Sequence, residues 1–503
     1  MAGIIDQVQT IVLVMMENRS FDHMLGHLTL DNPALALNGL RTENLDKYIN
    51  EYLGTPYPVY ERPDDNELSW DLPHEAGPVK TQLRQNPVSK EYTMQGFVEA
   101  FAKSINTTPN PEADPMGYFS KEFTPVTNFF ATNFCVCDNW YSPIPTSTQP
   151  NRTMAFSGDS SIHDTKFQLI PIPGDLFHWM DDPAHPVRWR VYHDGFSFFS
   201  LYNDLWPYVL GPQFLRTESL YADLSQEPDE HSPQVIIIEP NYHDAPHFGS
   251  KHPNDNHAPL AIGWGEDFLR RTYQAVSSNK TRWNSTVMIV YYDEHGGFFD
   301  HQPPPKIPYT TIGGDGFPFD SLGPRIPAII ISPLVKKESI CPALFDHTSV
   351  LQFIAEKFAP DKTYSIPVTN RKDLGIRSIS AALNNTTVYD APSAPTDIFT
   401  PLVTLGKGLS VPPESEMQKA FEFAALQLIT QKPAEVKIKY PELFQWRDED
   451  AKSVGTATMA ATAPMLVASA PVSNENIIKK TVPQSKVVKS GNKKPGKGKK
   501  KKT

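Results

Sequence analysis

The sequence predicts an α/β protein with a largely parallel central sheet flanked by helices. Short apolar runs rich in β-branched residues recur along the chain, and amphipathic helical patterns separate several of them. This alternation is typical of a sheet covered by helices. The chain has 503 residues, enough for one large domain with an appendage or for two to three ordinary domains, and its 39% hydrophobic content supports a substantial core.

The first predicted strand organises the rest of the chain. Residues Ile11 to Met16 form an apolar run that suits a strand buried on both faces. The run ends abruptly at Glu17 and Asn18, which place a carboxylate and an amide carbonyl side by side. These hard oxygen donors can hold a metal ion at the end of a central strand. A strand end followed by an ordinary helix N-cap explains the same two residues equally well.

Four further runs favour core strands, and six segments have helical patterns. The predicted strands are Trp189–Tyr192, Val235–Ile238, Val287–Tyr291 and Ala328–Ile331. The predicted helices are Ser20–Leu28, Met94–Ser104, Thr124–Phe134, Leu260–Val276, Ser349–Phe358 and Glu414–Ile429. The polar segment Asp31–Asn66 contains prolines, so we expect it to be an irregular surface excursion.

Composition divides the chain into three predicted parts. Residues 1–395 hold the strand signals and form the main domain, residues 396–452 a small, partly helical C-terminal region, and residues 453–503 a linker with a disordered Lys-rich tail. Residues 476–503 contain eleven Lys and no acidic residue, so the net charge of −11 leaves about −22 on the body. An acidic body argues against nucleic acid as the main partner. The tail could bind anionic lipid or RNA, or serve only to keep the protein in solution.

No apolar run reaches the roughly 18 to 20 residues of a membrane-spanning helix, and the N-terminus has no signal-peptide pattern. We therefore expect a cytoplasmic protein, or one exported by a signal-independent route. Cys135, Cys137 and Cys341 are too few for a disulfide framework. The Cys135-x-Cys137 spacing fits small buried residues of an extended segment better than a metal or redox motif.

Acidic residues and histidines crowd the ends of three predicted strands. The first strand ends in Glu17, followed by Asn18. Val235–Ile238 ends in Glu239, with His243, His247, Asp255 and His257 soon after, and Val287–Tyr291 is followed by Asp293, Glu294, His295 and His301. In an open α/β sheet, ligands bind beyond the carboxyl ends of the strands. The first strand end and the Asp293-Glu294 pair together offer oxygen donors that suit a hard or borderline divalent cation.

The loop before Arg152 offers a nucleophile for such a site. Pro150 suits the first turn of a helix, so Thr148 would lie at or just before a helix N-terminus. Free backbone N–H groups there favour phosphate and other anions. A hydroxyl deprotonated beside a metal can attack phosphorus. On this ground Thr146, Ser147 and Thr148 are nearly indistinguishable, and Thr148 could instead be only a capping residue.

Four segments resemble the phosphoesterase family that joins bacterial and plant non-specific phospholipases C with bacterial acid phosphatases of the AcpA type. The segments are ENRSFDHMLG at 17–26, STQPNR at 147–152, NDNHAP at 254–259 and DEHGGFFDH at 293–301. Weaker similarities are the region of His74, MQGFV at 94–98 and RVYHDG at 190–195, and all of them fall within about residues 8–360 in the family's order. STQPNR is closer to the phospholipase branch, because the acid phosphatases have Ser where this chain has Thr148.

The resemblance implies an alkaline-phosphatase-like α/β fold and a metal-dependent phosphoric ester hydrolase. It implies metal roles for Glu17, Asn18, Asp293 and Glu294, the nucleophile role for Thr148, and phosphate contacts for His74 and His257. Further candidates for supporting or acid–base roles are His295, His301, Asn151, Arg152 and Asp255. Oxygen ligands of this kind permit Zn²⁺, Ca²⁺ or Mn²⁺.

The activity expected from the resemblance is that of a phospholipase C. Thr148 would attack phosphatidylcholine or a similar glycerophospholipid and form a phosphothreonine, with His257 or His74, if protonated, acting on the leaving group. The alternative is a soluble phosphomonoesterase with the same site, and a non-catalytic lipid-binding protein fits the intact segments less well. A lipase needs an apolar rim for peripheral membrane contact. Candidates for that rim, which fit a core equally well, are Phe196, Phe198, Phe199, Tyr202, Trp206 and Tyr208. The sequence indicates no oligomeric state.

Overall fold

An eight-stranded mixed sheet forms the centre of the protein. The computed structural model describes residues 3–64, 68, 70–248, 251–312, 317–396 and 415–453. The strands are β1 (Thr10–Met16), β2 (Ile49–Tyr52), β3 (Thr55–Pro58), β4 (Tyr60–Glu61), β5 (Gly117–Tyr118), β6 (Cys135–Cys137), β7 (Trp189–His193), β8 (Phe214–Arg216), β9 (Val235–Glu239), β10 (Thr286–Tyr292), β11 (Lys306–Ile312), β12 (Phe317–Ser321), β13 (Ala328–Ile331) and β14 (Ser339–Cys341). The order across the large sheet is β14-β6-β13-β10-β1-β9-β7-β8.

The large sheet is parallel except at one strand. β13 runs antiparallel to both β10 and β6, and the other neighbouring pairs are parallel. The prediction of an α/β fold with a largely parallel sheet is therefore confirmed. The predicted strand at β13 is correct, but its reversed direction is set by its neighbours and has no signature in its own apolar sequence.

Sixteen α-helices are present among the described residues, and those that coincide with the predicted helical segments confirm them with small shifts at their ends. They are α1 (Phe21–Leu25), α2 (His27–Asp31), α3 (Ala76–Leu83), α4 (Phe97–Ile105), α5 (Pro125–Asn133), α6 (Thr148–Ser157), α7 (Leu176–Met180), α8 (Trp206–Val209), α9 (Leu220–Ser225), α10 (Gly263–Val276), α11 (Lys280–Trp283), α12 (Thr348–Phe358), α13 (Ile366–Asp373), α14 (Glu416–Gln431), α15 (Pro433–Lys439) and α16 (Glu442–Ser453). One predicted helix, Ser20–Leu28, is divided at Gly26 into α1 and α2.

The sheet brings three strand ends to one edge. β1 lies between β9 and β10, parallel to both, and Met16 pairs with Tyr292 in register. Glu17 and Asp293 therefore leave the sheet side by side. All seven residues of β1 and all seven of β10 are buried, as strands covered on both faces require.

The structure corrects two expectations about the surface. Most described residues of segment 31–66 are exposed or half-buried, as expected, but the segment is not irregular throughout. Segment 31–66 contains the antiparallel pair β2–β3, and its Tyr48 and Tyr57 are buried in a second hydrophobic cluster. The six aromatic residues considered for a lipid-facing rim belong to the main core: five are buried and Tyr208 is half-buried against them. The rim interpretation was wrong for these six because consecutive aromatics also satisfy the packing between β7, β8 and α7.

The C-terminal helices pack on the same core. Phe421 and Leu428 of α14 are completely buried in the main cluster. Residues 1–447 form one compact unit, and of the second unit, 448–503, only residues 448–453 are described. The predicted boundary near residue 395 remains a prediction, and the linker and Lys-rich tail from residue 454 onward lie outside the described residues.

Two further expectations concern membrane spans and cysteines. No helix in the described part of the chain combines the length and apolar character needed to cross a membrane. Cys135, Cys137 and Cys341 are buried free thiols. Cys135 and Cys137 lie on β6, as expected for small residues of an extended segment.

Candidate functional site

Three segments meet at Asn18. The backbone of Asn18 has a φ of +61°, a left-handed conformation that Asn tolerates better than most residues. Its N–H donates to Asp293 Oδ1 over 3.0 Å, and its Oδ1 accepts a hydrogen bond of 3.2 Å from Thr148 Oγ1. The end of β1, the end of β10 and the start of α6 are thereby joined in a buried contact.

The loop before α6 separates the three candidate hydroxyls. Thr146 Oγ1 donates to His163 O and Asp164 Oδ1, and Ser147 Oγ lies 3.1 Å from Thr165 Oγ1. Thr148 is the first residue of α6 and its hydroxyl is directed to Asn18. Of the three, Thr148 is therefore the one whose hydroxyl contacts Asn18 at the end of β1.

Asn151 holds this loop in shape. Its Nδ2 donates to the carbonyl oxygens of Thr146 (2.8 Å) and Ser147 (3.1 Å), and its Oδ1 accepts from the N–H of Ile144 (3.1 Å). The side chain has no contact with the acidic strand ends among the hydrogen bonds of the described residues. Its part is to fix the backbone that presents Thr148.

Arg152, one turn along α6, pairs with both acidic strand ends. Its Nη2 lies 3.2 Å from Glu17 Oε1, and its Nε donates to Asp293 Oδ2 over 3.1 Å. Burial raises the pKa of Glu17 well above its usual value, although Arg152 opposes this shift. Burial works against the charge of Arg152 too, but Tyr242, Asp293 and Glu17 together keep its pKa above the ordinary value.

Glu294 presents one oxygen to the site with no protein donor. Its Oε2 accepts from the N–H of Gly296 over 2.7 Å, while its Oε1 is buried and has no hydrogen-bond partner in the described part of the chain. Burial raises the pKa of Glu294 to about 8, which His74 partly offsets. Gly296 allows this close turn, since a Cβ there would lie 2.1 Å from the carbonyl oxygen of Asn18.

The acidic strand ends hold three buried carboxyl groups, those of Glu17, Asp293 and Glu294, with few basic partners among the described residues. Among the described residues, Arg152 is the only Lys or Arg that pairs with Glu17, Asp293 or Glu294. Buried charges are stable when they are paired or bind a metal. The unpartnered Glu294 Oε1 is an oxygen of the kind that a divalent cation binds.

Two histidines, His74 and His257, lie next to each other near Asn18. His74 Nε2 lies 3.4 Å from Asn18 Nδ2, and the rings of His74 and His257 are 6.1 Å apart. His74 Nδ1 donates to Leu72 O over 2.6 Å, and His257 Nδ1 donates to Ala258 O, so each ring turns its Nε2 inward. One ligand atom each from Asp71, His74 and His257 lies within 4.8 Å of the others.

The surroundings of the two imidazoles shift their pKa values in opposite directions. Burial works against a charge on His74, but Glu294 and Asp71 outweigh it and raise the pKa of His74 to about 10. Burial lowers the pKa of His257 to about 3, and Asp244, with Oδ2 3.6 Å from His257 Nε2, offsets this only in part. Of the two imidazoles, His74 is therefore the one that its neighbours favour in the protonated form.

The remaining predicted residues, Asp255, His295 and His301, have hydrogen-bond partners of their own. Asp255 accepts hydrogen bonds from the N–H groups of His243 (2.5 Å) and His257 (3.1 Å), which fixes the loop that carries His257. His295 is buried with Nε2 2.7 Å from Gln82 Oε1. His301 lies apart from Thr148, with Nδ1 2.7 Å from Asp22 Oδ2.

Sequence reasoning missed three residues that shape the site. Asp71 and Asp244 face the two histidines, and Tyr242 accepts a 3.0 Å hydrogen bond from Arg152 Nη1. Asp71 precedes His74 by three residues and Asp244 follows β9 by five, so both stand beside segments that were already singled out. Nothing in the sequence pattern marks Tyr242.

Comparison with known proteins shows the family of this chain. A sequence model described as the Phosphoesterase family matches residues 8–359. Non-specific phospholipase C1 of Arabidopsis thaliana is 29% identical over 385 residues, which cover 74% of this chain and 68% of that protein. Hemolytic phospholipase C of Pseudomonas aeruginosa is 29% identical over 420 residues, covering 71% of this chain and 53% of that protein.

A solved structure adds little to this. A protein in the alkaline phosphatase superfamily from Vibrio parahaemolyticus aligns with 47% of this chain and 60% of its own, at 12% identity and a TM-score of 0.28. A score this low carries no argument, and the α/β fold rests on the sheet itself. Because the family model covers most of the chain, including both acidic strand ends and Thr148, the protein belongs to the Phosphoesterase family and is a phosphoric ester hydrolase.

Proposed function

We propose that this protein is a phospholipase C that cleaves glycerophospholipids such as phosphatidylcholine to diacylglycerol and a phosphorylated head group. The observation that carries the proposal is the Thr148 hydroxyl, held 3.2 Å from Asn18 Oδ1 at the N-terminus of α6. The names of the curated relatives from Arabidopsis and Pseudomonas support phospholipids as the substrate class.

Thr148 is the nucleophile in this proposal. Its Oγ1 forms a bond to phosphorus while the bond to the diacylglycerol oxygen breaks, and the product is a phosphothreonine. Asn18 orients the hydroxyl, and the first N–H groups of α6 stabilise the phosphoryl oxygens. Water then splits the phosphothreonine, which releases the phosphorylated head group and restores the hydroxyl.

The other residues of the site bind the cation and donate the proton. Glu17, Asn18, Asp293 and Glu294 would hold a divalent cation of Zn²⁺, Ca²⁺ or Mn²⁺ type, which supplies Lewis acidity that favours the Thr148 alkoxide. His74 carries the proton near neutral pH, so it can bind a phosphoryl oxygen or protonate the leaving oxygen. His257 lies beside His74, with the ring centres 6.1 Å apart, and stays a neutral imidazole.

Two exposed aromatic residues offer a surface for peripheral membrane contact. Trp70 precedes Asp71 of the site and is 39% exposed, and Phe167 is 55% exposed. Asp164, three residues before Phe167, accepts hydrogen bonds from Thr146 Oγ1 and from the N–H of Ala76, so both aromatics belong to segments that border the site. Trp70 and Phe167 would then make the membrane contact for which the buried aromatics were first considered.

The alternative is a soluble phosphomonoesterase that uses the same residues. Burial of five of the six aromatics once considered for a rim favours it, because these five cannot contact a bilayer. Neither proposal requires a membrane-spanning segment, and both suit a cytoplasmic protein or one exported without a signal peptide.

The deciding experiment compares two substrates with the same purified protein. We expect release of diacylglycerol and phosphocholine from phosphatidylcholine vesicles, with much slower hydrolysis of small phosphate monoesters. Thr148→Ala should abolish turnover without loss of folding or bound metal, and Thr146→Ala is the matched control in the same loop. Release of inorganic phosphate from monoesters alone would favour the phosphomonoesterase, and an active Thr148→Ala variant would refute the role of Thr148.

A further inference from the structure

Helix α14 contacts the active site although it lies beyond residue 359, where the match to the family model ends. Ser415, the residue before the helix, donates from Oγ to Asp244 Oδ1 over 2.8 Å. The other oxygen of this carboxylate, Oδ2, lies 3.6 Å from His257 Nε2. A chain of two contacts therefore joins the start of α14 to His257.

The geometry leaves Asp244 dependent on this contact. Asp244 is 4% exposed, and its Oδ2 is buried with no hydrogen-bond partner among the residues that the structure describes. His257 cannot turn freely, because its Nδ1 donates to Ala258 O. Holding Oδ1 through Ser415 thus fixes the direction of Oδ2, which lies 3.6 Å from His257 Nε2 and attracts that nitrogen when it carries a proton.

A second contact from the same helix supports the other side of the site. The ring of Phe421 stacks on Tyr242 with centroids 5.8 Å apart and planes 29° apart. The hydroxyl of Tyr242 accepts a 3.0 Å hydrogen bond from Arg152, whose guanidinium also lies 4.9 Å from the centre of the Tyr242 ring. α14 therefore supports Arg152 as well as His257.

We propose that α14 is a working part of the active site and that Ser415 is a positioning residue that directs Asp244 toward His257. The proposal rests on the proposed function only in assigning His257 to the active site. Ser415 acts through Asp244 and has no contact with the reacting atoms. We therefore expect its hydroxyl to affect kcat far more than KM.

A test must separate this role from helix capping, because Ser415 Oγ also accepts a 2.8 Å hydrogen bond from the N–H of Gln418. Ser415→Ala and Ser415→Gly both remove the hydroxyl, but Gly is nearly as good as Ser at an N-cap and Ala is poor. Ser415→Thr keeps both the cap and the donor. Thr430→Ala, on the exposed last turn of α14, is the matched control.

Positioning predicts that the Gly and Ala variants lose kcat equally, by about 10- to 100-fold, with KM changed little. Ser415→Thr should restore kcat, and Thr430→Ala should match the wild type. A pure capping role predicts the opposite pattern, in which Ser415→Gly behaves as the wild type and only Ser415→Ala loses activity, in proportion to its lower Tm. That pattern overturns the proposal.

A readout independent of turnover keeps the test decisive. In protein labelled with ¹⁵N-histidine, the side-chain signals of His257 should shift in the Gly and Ala variants, return in Ser415→Thr, and stay unchanged in Thr430→Ala. Unchanged His257 signals in Ser415→Gly would overturn the proposal whatever the substrate. If the wild type hydrolyses no phosphate ester, the proposed function fails, and the His257 signals alone then decide the role of Ser415.

Discussion

The guanidinium of Arg152 lies 3.2 Å from the carboxylate of Glu17, one turn of helix away from the Thr148 hydroxyl. The same guanidinium donates to Asp293 over 3.1 Å, so one cation joins the ends of the two central strands. The geometry of the site therefore depends on a buried ion pair as well as on any metal.

Replacing Arg152 should lower both stability and activity. Arg152→Met leaves the carboxylates of Glu17 and Asp293 without their guanidinium, and breaking a buried pair in this way costs about 3–5 kcal/mol. Arg152→Lys should lose less stability, but a single ammonium cannot reproduce the two-sided contact. Urea unfolding measures the loss. As a control, Arg371→Lys, in a buried pair with Asp346 outside the site, should change stability with little change in kcat.

Glu294→Gln should lower the amount of bound metal. Its buried Oε1 has no protein donor among the described residues, and the substitution removes the charge that a cation would neutralise. Since loss of an outer partner alone typically weakens metal binding about 10- to 100-fold, we expect at least that effect here. Elemental analysis after dialysis gives the metal content, and chelation of the wild type should reduce turnover in the same way.

The control for that experiment is another fully buried glutamate. Both oxygens of Glu266 accept hydrogen bonds, from the N–H groups of Val126 and Thr127 and from the Thr127 hydroxyl. Glu266→Gln should keep the metal content of the wild type. Equal metal in Glu294→Gln and in the wild type would contradict the assignment of Glu294.

His301→Gln should destabilise the protein most at low pH. Burial opposes a charge on His301, but the carboxylate of Asp22 outweighs it and raises the pKa of His301 in the folded protein. This contribution to stability is fully present below the unfolded-state pKa of about 6.5 and is lost as the pH rises through the folded-state pKa. Urea unfolding at pH 5.5 and pH 8.5 should show the larger difference from the wild type at pH 5.5, and a loss that grows with pH would be inconsistent with the Asp22 pairing.

Phe199→Ala should behave as a core mutation. The ring is completely buried, with the rings of Phe156 and Phe177 each at a centroid distance of 4.8 Å. Truncating a buried Phe in this way costs about 3–5 kcal/mol of unfolding free energy. A variant of unchanged stability with impaired vesicle binding would instead return Phe199 to a lipid-facing role.

Trp70→Ala and Phe167→Ala should show the reverse behaviour. Both side chains are exposed, so stability should change by less than about 0.5 kcal/mol. We expect slower hydrolysis of phosphatidylcholine vesicles and an unchanged rate on a short-chain, water-soluble phosphatidylcholine. Tyr221→Ala, exposed elsewhere on the protein, is the control, and an equal effect on both substrates would argue against membrane contact by Trp70 and Phe167.

The sequence by itself determined the sheet and the acidic part of the site. Apolar runs such as Ile11 to Met16 can only be buried, and parallel strands place their carboxyl ends at one edge, so Glu17 and Asp293 were expected to meet. The sequence also predicted a helix start near Thr148, because Pro150 favours the backbone conformation of the first helical turn. These features depend on neighbouring residues in the chain.

Only the tertiary structure decided which side chains complete the site. Arg152 pairs with Asp293, 141 residues away, and Ser415 bonds to Asp244, 171 residues away. Local periodicity reports that a residue is buried and does not name its partner, which is also why six core aromatics could be mistaken for a rim. Packing between distant segments distinguishes Thr148 from the other two hydroxyls, because it brings Thr148 to Asn18. It also brings α14 to the site, because Ser415 contacts Asp244.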